Sequence, residues 1–209
     1  MSLSVEVAGL DSIIPIIDDG TIVVVEGGAD LAKSFFVRRL CRTAFHVPRP
    51  VTFVTSRDER EVRDRFQQED GGDPHSGDSI RVVELDAVLS LLEYAPSGGV
   101  LAVDSFSYLT LDLTPTELAR MLRELRRSCR EQRIIAVLTI DQGMFDARSE
   151  AVLTHLAEAY LEFHAQEGPE GLLRFLRIPK WVDGRFVDRN IYYTFDGKRI
   201  AIDLRSRVL

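Results

Sequence analysis

The chain has 209 residues, 45% of them hydrophobic and 28% charged, with a formal net charge of −7. That length and balance predict one soluble domain with a sizeable core. The acidic total works against sequence-independent binding to nucleic-acid backbones, which needs a basic footprint. Cys41 and Cys129 stand far apart without metal-binding spacing, which predicts reduced thiols rather than a disulfide framework. No apolar run approaches the roughly 18 residues of a membrane span, and no charged-then-apolar leader opens the chain. The expectation is a cytoplasmic protein with no membrane span.

In chain order, the first clear element is the β-branched run Thr21–Glu26, read as a strand. It feeds "GGADLAKS", after which Lys33–Phe45 has the pattern of an amphipathic helix. Strand, loop and helix in this order match the phosphate-loop layout G-x-x-x-x-G-K-[ST]. Gly27 takes the first glycine position, Lys33 and Ser34 the lysine and hydroxyl, while Ala32 replaces the final glycine and Asp30 lies inside the loop. Such a loop aims successive N–H groups at anionic oxygens, helped by the helix dipole. A methyl at Ala32 crowds that wrap, and a carboxylate at Asp30 brings like charge toward the ligand. Lys33, Lys180 and Lys198 are the only lysines among 26 basic residues, so Lys33 is not one of many surface lysines.

Four more short apolar runs follow as strands: Val51–Thr55, Arg81–Leu85, Val100–Asp104 and Ile134–Thr139. Helices are expected at Asp58–Gln68, Ala87–Tyr94, Pro115–Gln132 and Arg148–Ala157. Apolar strands alternating with helices predict an α/β domain with a parallel sheet covered on both faces. "TPTE" starts the Pro115 helix with Thr114 as cap, Pro115 at the first position and Glu117 closing a capping box. "EDGGDPHSGDS", residues 69–79, is the one clear flexible loop. The last third changes character: "AYLEFHAQEGPEGLLRFLRI" and "NIYYTFDGKRIAIDL" predict antiparallel strands joined by hairpins.

On the Pro115–Gln132 helix, Arg120, Arg123, Arg127 and Arg130 share one flank, and Leu118, Leu122, Leu125 and Cys129 form the buried stripe. Glu117, Glu124 and Glu131 border the arginines at helical spacing, which favours a solvated ion-pair face over a nucleic-acid surface. The histidines, His46, His75, His155 and His164, have no metal-like spacing.

Taken together, these segments resemble the KaiC branch of the RecA-like P-loop ATPases over almost the whole chain. "VAGLDSIIPIIDDGTIVVVEGG" is similar to the family's opening, "GGVLAVDSFSYL" to its Walker B strand, and "IIAVLTIDQ" to the next core strand. "LLRFLRIPKW" with "YYTFDGKRIAI" is similar to its closing strands. The resemblance implies a RecA-like P-loop fold over residues 1–209 as a single domain. That fold is a mainly parallel central sheet flanked by helices, with C-terminal antiparallel strands. It also implies hexameric or filamentous assembly with ATP and magnesium bound between subunits.

Carried over position by position, the resemblance assigns Gly27, Gly28, Lys33 and Ser34 to the nucleotide and Ser34 with Asp104 to magnesium. The family's two water-activating glutamates fall on Arg57 and Asp58, leaving Asp58 as the candidate catalytic base. Lys180 matches the lysine that acts on a neighbouring subunit's nucleotide, while Val182 stands where an arginine is usual. Thr139 and Gln142 lie where a polar group senses the terminal phosphate. Loop, base and trans cation all depart from the pattern together. The expected function is therefore that of a regulatory or signal-transduction assembly partner with a degenerate Walker A motif, binding ATP and magnesium weakly and hydrolysing little or nothing. Its expected partners are copies of itself, or related ATPase or signalling proteins. Two alternatives stand beside this reading. One is a working KaiC-like ATPase in which Asp30 points away; the other is a recombinase-like paralogue that binds DNA through the arginine flank.

Overall fold

The computed structural model of the protein describes residues 2–5, 10, 13–14, 16–29, 31–47, 49–69, 80–168, 171–182, 187–197 and 199–203. Asp30, Gly9 and Asp11 of the opening segment, residues 70–79 of the polar loop with His75, the hairpin tip at 169–170, and Lys198 lie outside the described residues. Strand β3, Ile22–Gly27, is the centre of the architecture. Its side chains alternate between two cores: Val23 and Val25 pack with helix α1, Lys33–His46, on one face, while Ile22 and Val24 pack on the other. A strand buried on both faces needs apolar residues at every position, which is why the sequence runs Ile-Val-Val-Val without a polar alternate.

The remaining core strands are β4 (Val51–Thr55), β5 (Ile80–Glu84), β6 (Val100–Val103), β7 (Ile135–Asp141) and β8 (Ala159–Gly168). Strands β9 (Gly171–Lys180), β10 (Val187–Phe195) and β11 (Ile200–Ile202) extend the sheet. The nine strands lie in the order β11-β10-β9-β8-β3-β7-β6-β4-β5. From β8 to β5 every pairing is parallel, and from β8 outward to β11 every pairing is antiparallel. A separate two-stranded pair joins β1 (Ser2–Leu3) and β2 (Ile17–Asp18).

Several sequence expectations are corrected. The segment starting at Ala159 forms the expected antiparallel hairpin with β9, and β8 also pairs parallel with β3, which was not foreseen. Helix α5, Ala147–Leu156, makes a crossover from β7, and a crossover returns the chain in the same direction. The expected helix at Ala87–Tyr94 is a 3₁₀ helix over Val88–Tyr94. Its buried residues Val88 and Leu91 are three apart, the repeat of a three-residue turn. A one-turn helix α3, Phe106–Leu109, was not foreseen.

Helix α2 spans Glu59–Glu69 and helix α4 spans Pro115–Gln132. Helix α4 has the expected capping box and buries Leu118, Leu122, Leu125 and Cys129. Its arginine flank is partly paired, but not only within the helix. Arg127 meets Glu131 at 3.9 Å and Arg130 turns to Glu158 at 3.4 Å, which Arg126, outside the flank, also meets at 2.6 Å. Among the described residues no helix is long and apolar enough to cross a membrane.

Candidate functional site

The carboxyl ends of β3, β6 and β7 meet where the chain leaves β3 on one side for β4 and β7 leads to β8 on the other. Such a switch point leaves a crevice beyond the strand ends. At the end of β3, a side chain on Gly27 would place its Cβ 2.8 Å from the Phe163 carbonyl oxygen and 2.9 Å from Phe163 Cβ. The first glycine of the loop is therefore required by the neighbouring strand β8. At Gly28 a Cβ would meet only Leu31 Cδ1, at 3.6 Å.

Ala32 adopts φ 67° and ψ 13°, the left-handed conformation that the motif's final glycine normally supplies. The backbone shape of the loop is thus kept, at a strain of about 1 kcal/mol for a residue with a Cβ. Ala32 is also the N-cap of α1, with no side-chain cap and no acidic residue in the first turn. The opening N–H groups and the positive end of the helix dipole therefore have no anionic side chain of α1 to satisfy them. The Tyr193 hydroxyl donates to the Leu31 carbonyl at 2.9 Å and fixes the loop from behind.

Lys33 is nearly buried, and its ammonium donates to Gly27 O at 2.8 Å, Gly28 O at 3.0 Å and Asp141 Oδ1 at 2.8 Å. An ammonium has three N–H donors, so each is matched. Ser34 Oγ donates to Asp104 Oδ1 at 2.8 Å. Asp104 lies one residue beyond β6, where Ser105 turns into the left-handed region at φ 63°. Thr139 ties the two strand ends together: its hydroxyl donates to Asp104 Oδ1 at 3.0 Å and accepts from the Ser105 N–H at 2.7 Å. Ser107 on α3 clasps Asp141, donating to Oδ2 at 3.2 Å and accepting from the Asp141 N–H at 3.1 Å.

Lys33, Ser34, Asp104, Thr139 and Asp141 line a cleft of about 280 Å³. Besides Lys33, the basic side chains Arg38, Arg57 and Arg65 reach it, against the carboxylates of Asp104 and Asp141. Among the described lining residues, cations outnumber carboxylates four to two. Arg38 is ion-paired with Glu69, and Arg65 with Glu61 at 2.7 Å. Arg57 is exposed, and its guanidinium has no ion pair among the described residues.

The structure therefore brings Gly28, Lys33, Ser34 and Asp104 to one cleft, with Gly27 contributing its carbonyl to Lys33. Thr139 is there as well, whereas Gln142 is not among the lining residues. Asp58 does not line the cleft; its carboxylate accepts from the N–H groups of Arg60 and Glu61 at 2.9 and 3.1 Å, capping α2. Lys180 donates to Thr154 O at 2.8 Å, to His155 O at 3.3 Å and to Ala157 O, closing the carboxyl end of α5. Burial lowers the Lys180 pKa from its ordinary value; Glu158 opposes the shift and Arg126 adds to it. Asp141 was missed by sequence reasoning, although a charged residue ending a buried strand at Thr139-Ile140-Asp141 is a visible signal. Among the described residues no group of three or more His, Cys, Asp or Glu side chains could hold a metal alone.

Two solved structures share this fold closely. One is a KaiC-like protein of the hyperthermophilic archaeon Pyrococcus horikoshii OT3, with a TM-score of 0.77 and 19% identity, covering 97% of this chain and 99% of that one. The other is the flagellar accessory protein FlaH of Methanocaldococcus jannaschii, with a TM-score of 0.77 and 16% identity, covering 97% and 98%. The KaiC-like RecA fold expected from the motifs is thus the fold of this chain. No curated protein matches it. A family model matches residues 19–208, nearly the whole chain, phosphate loop and closing strands included, so the chain belongs to the family described as "Family of unknown function (DUF7125)".

Proposed function

We propose that this protein binds nucleoside phosphates weakly through the cleft at Lys33, hydrolyses them little or not at all, and serves as a regulatory partner in an assembly of RecA-like subunits. The residues present fit a phosphate group and magnesium. An uncapped helix start and the Lys33 ammonium suit the phosphates. The Ser34–Asp104 pair offers oxygen ligands to a hard cation that usually keeps several waters. When bound, magnesium would neutralise phosphate charge, which is the larger part of what phosphoryl transfer requires.

One observation carries the claim of poor hydrolysis. Among the described residues, the two carboxylates lining the cleft are already engaged: Asp104 accepts from Ser34 and Thr139 through Oδ1, and Asp141 accepts from Lys33 and Ser107 through its two oxygens. Where the resemblance puts a water-activating base, Arg57 faces the cleft and Asp58 caps α2 instead. DNA binding through α4 is less favoured, because two of the four flank arginines, Arg127 and Arg130, already meet carboxylates.

Calorimetry with ATP and magnesium, alongside phosphate release, tests the reading. Weak binding that disappears in Lys33→Ala is expected, with phosphate release no faster in the wild type than in that variant. Turnover on the order of 1 s⁻¹ or more, lost in both Lys33→Ala and Asp58→Asn, would identify a working ATPase instead.

A further inference from the structure

Resting on the phosphate-binding reading of the cleft, we infer that the site selects a nucleoside diphosphate over a triphosphate, and that Asp141 is the residue that sets this preference. All three donors of the Lys33 ammonium are engaged, two by loop carbonyls at Gly27 and Gly28 and one by Asp141 Oδ1 at 2.8 Å. A phosphate can be gripped by Lys33 only when one of these acceptors gives way. The carbonyls belong to the loop that forms the cradle, so the acceptor to be displaced is the carboxylate.

Displacement is resisted, because Ser107 holds Asp141 through both its side chain and its backbone N–H. Thr139 and Ser105 on the adjoining strand ends keep Asp104 in place beside it. A third phosphate reaching for Lys33 would set its charge, about −2 at neutral pH, against the Asp141 carboxylate held beside that ammonium. A diphosphate avoids the conflict, since the uncapped start of α1 at Ala32 can hold one phosphate group through backbone N–H groups without recruiting Lys33 away from Asp141. Asp141 thus occupies, on the protein's own account, the anionic place beside Lys33 that a third phosphate would take.

Titration of the full chain with ADP and with ATP, each with magnesium, separates the possibilities. Wild type is expected to bind ADP at least about tenfold more tightly than ATP. In Asp141→Asn, which keeps the shape and removes the charge, ATP affinity is expected to rise about tenfold while ADP affinity changes less than about threefold. Ser107→Ala, which loosens the clasp without touching Lys33, is expected to shift the ratio the same way by a smaller factor. Thermal melts establish that each variant is folded. A wild-type preference for ATP, an unchanged ratio in both variants, or weaker ATP binding in Asp141→Asn, as expected of a magnesium ligand, would each overturn the inference while leaving phosphate binding intact. If neither nucleotide binds and Lys33→Ala changes nothing, the phosphate-binding reading falls and takes this inference with it.

Discussion

At positions 27 and 32 the backbone sets two requirements that glycine meets, one of space and one of conformation. Gly27 has no room for a methyl, because the Phe163 carbonyl would lie 2.8 Å away. Ala32 holds a left-handed backbone at φ 67° that glycine would adopt without strain. Gly27→Ala is therefore expected to cost about 1–3 kcal/mol by forcing β3 and β8 apart. Ala32→Gly is expected to gain about 0.5–1 kcal/mol, after the extra entropy of glycine in the unfolded chain is subtracted. Denaturant unfolding of the two variants measures both signs. A loss on Ala32→Gly would mean that the methyl, 7% exposed, contributes more through packing than its backbone costs. Asp141 belongs at this scale too: its residue type was plain in the chain, but its aim at Lys33 depends on how far β7 runs beside β3, which no local pattern specifies.

Among the helices, α4 and α5 carry side-chain caps while α1 carries none. Thr114 and Glu117 close a full box on α4, and Asp146 accepts from the Ser149 N–H at 2.8 Å on α5. Thr114→Ala is expected to lower Tm by about 2–4 °C without changing nucleotide affinity. Hydrogen bonds from Thr114 hold the Glu117 carboxyl below the ordinary glutamate range. A depressed carboxylate pKa stabilises the fold above the unfolded value and loses that contribution as pH falls through the folded one. The Tm difference between wild type and Thr114→Ala is therefore expected to be larger near pH 7 than near about pH 3; an equal difference at both would show that the carboxylate takes no part.

The helices with caps and long periodic faces were legible in the chain, Pro115–Gln132 to the residue. So were the doubly buried strands, because continuous β-branched runs have few other solutions. Less legible were the two-residue strands β1 and β2 and the single turn α3, too short to show a period. The mixed pairing of β8 was hidden because its partner β3 lies more than a hundred residues away. In the site, Lys33, Ser34 and Asp104 could be read from motif order, whereas the turning of Asp58 onto α2 and of Lys180 onto α5 is decided by nearby backbone groups competing for the same side chain.

Across the whole molecule, the two cores on either face of the sheet each enclose one cysteine, Cys41 with α1 and Cys129 with α4. Burial raises both thiol pKa values; Cys129 is pushed up to about 12, with Glu158 adding to the effect. At about pH 8 neither side chain carries appreciable thiolate, the reactive form. Alkylation of the native protein is expected to leave both cysteines unmodified for hours and to label both at once after unfolding. Rapid single-site labelling under native conditions would reveal a local opening of one core.

The Tyr193 hydroxyl bonded to the Leu31 carbonyl at 2.9 Å reaches across 162 positions of sequence, from the antiparallel wing into the loop ahead of Lys33. Phe195, two residues along the same strand, packs its ring 5.3 Å from that of Phe35 and forms part of the cleft wall. The outer wing therefore also buttresses the loop, through one hydrogen bond and one ring contact on either side of Lys33. Tyr193→Phe would remove one of those ties and leave the Leu31 carbonyl without its side-chain donor.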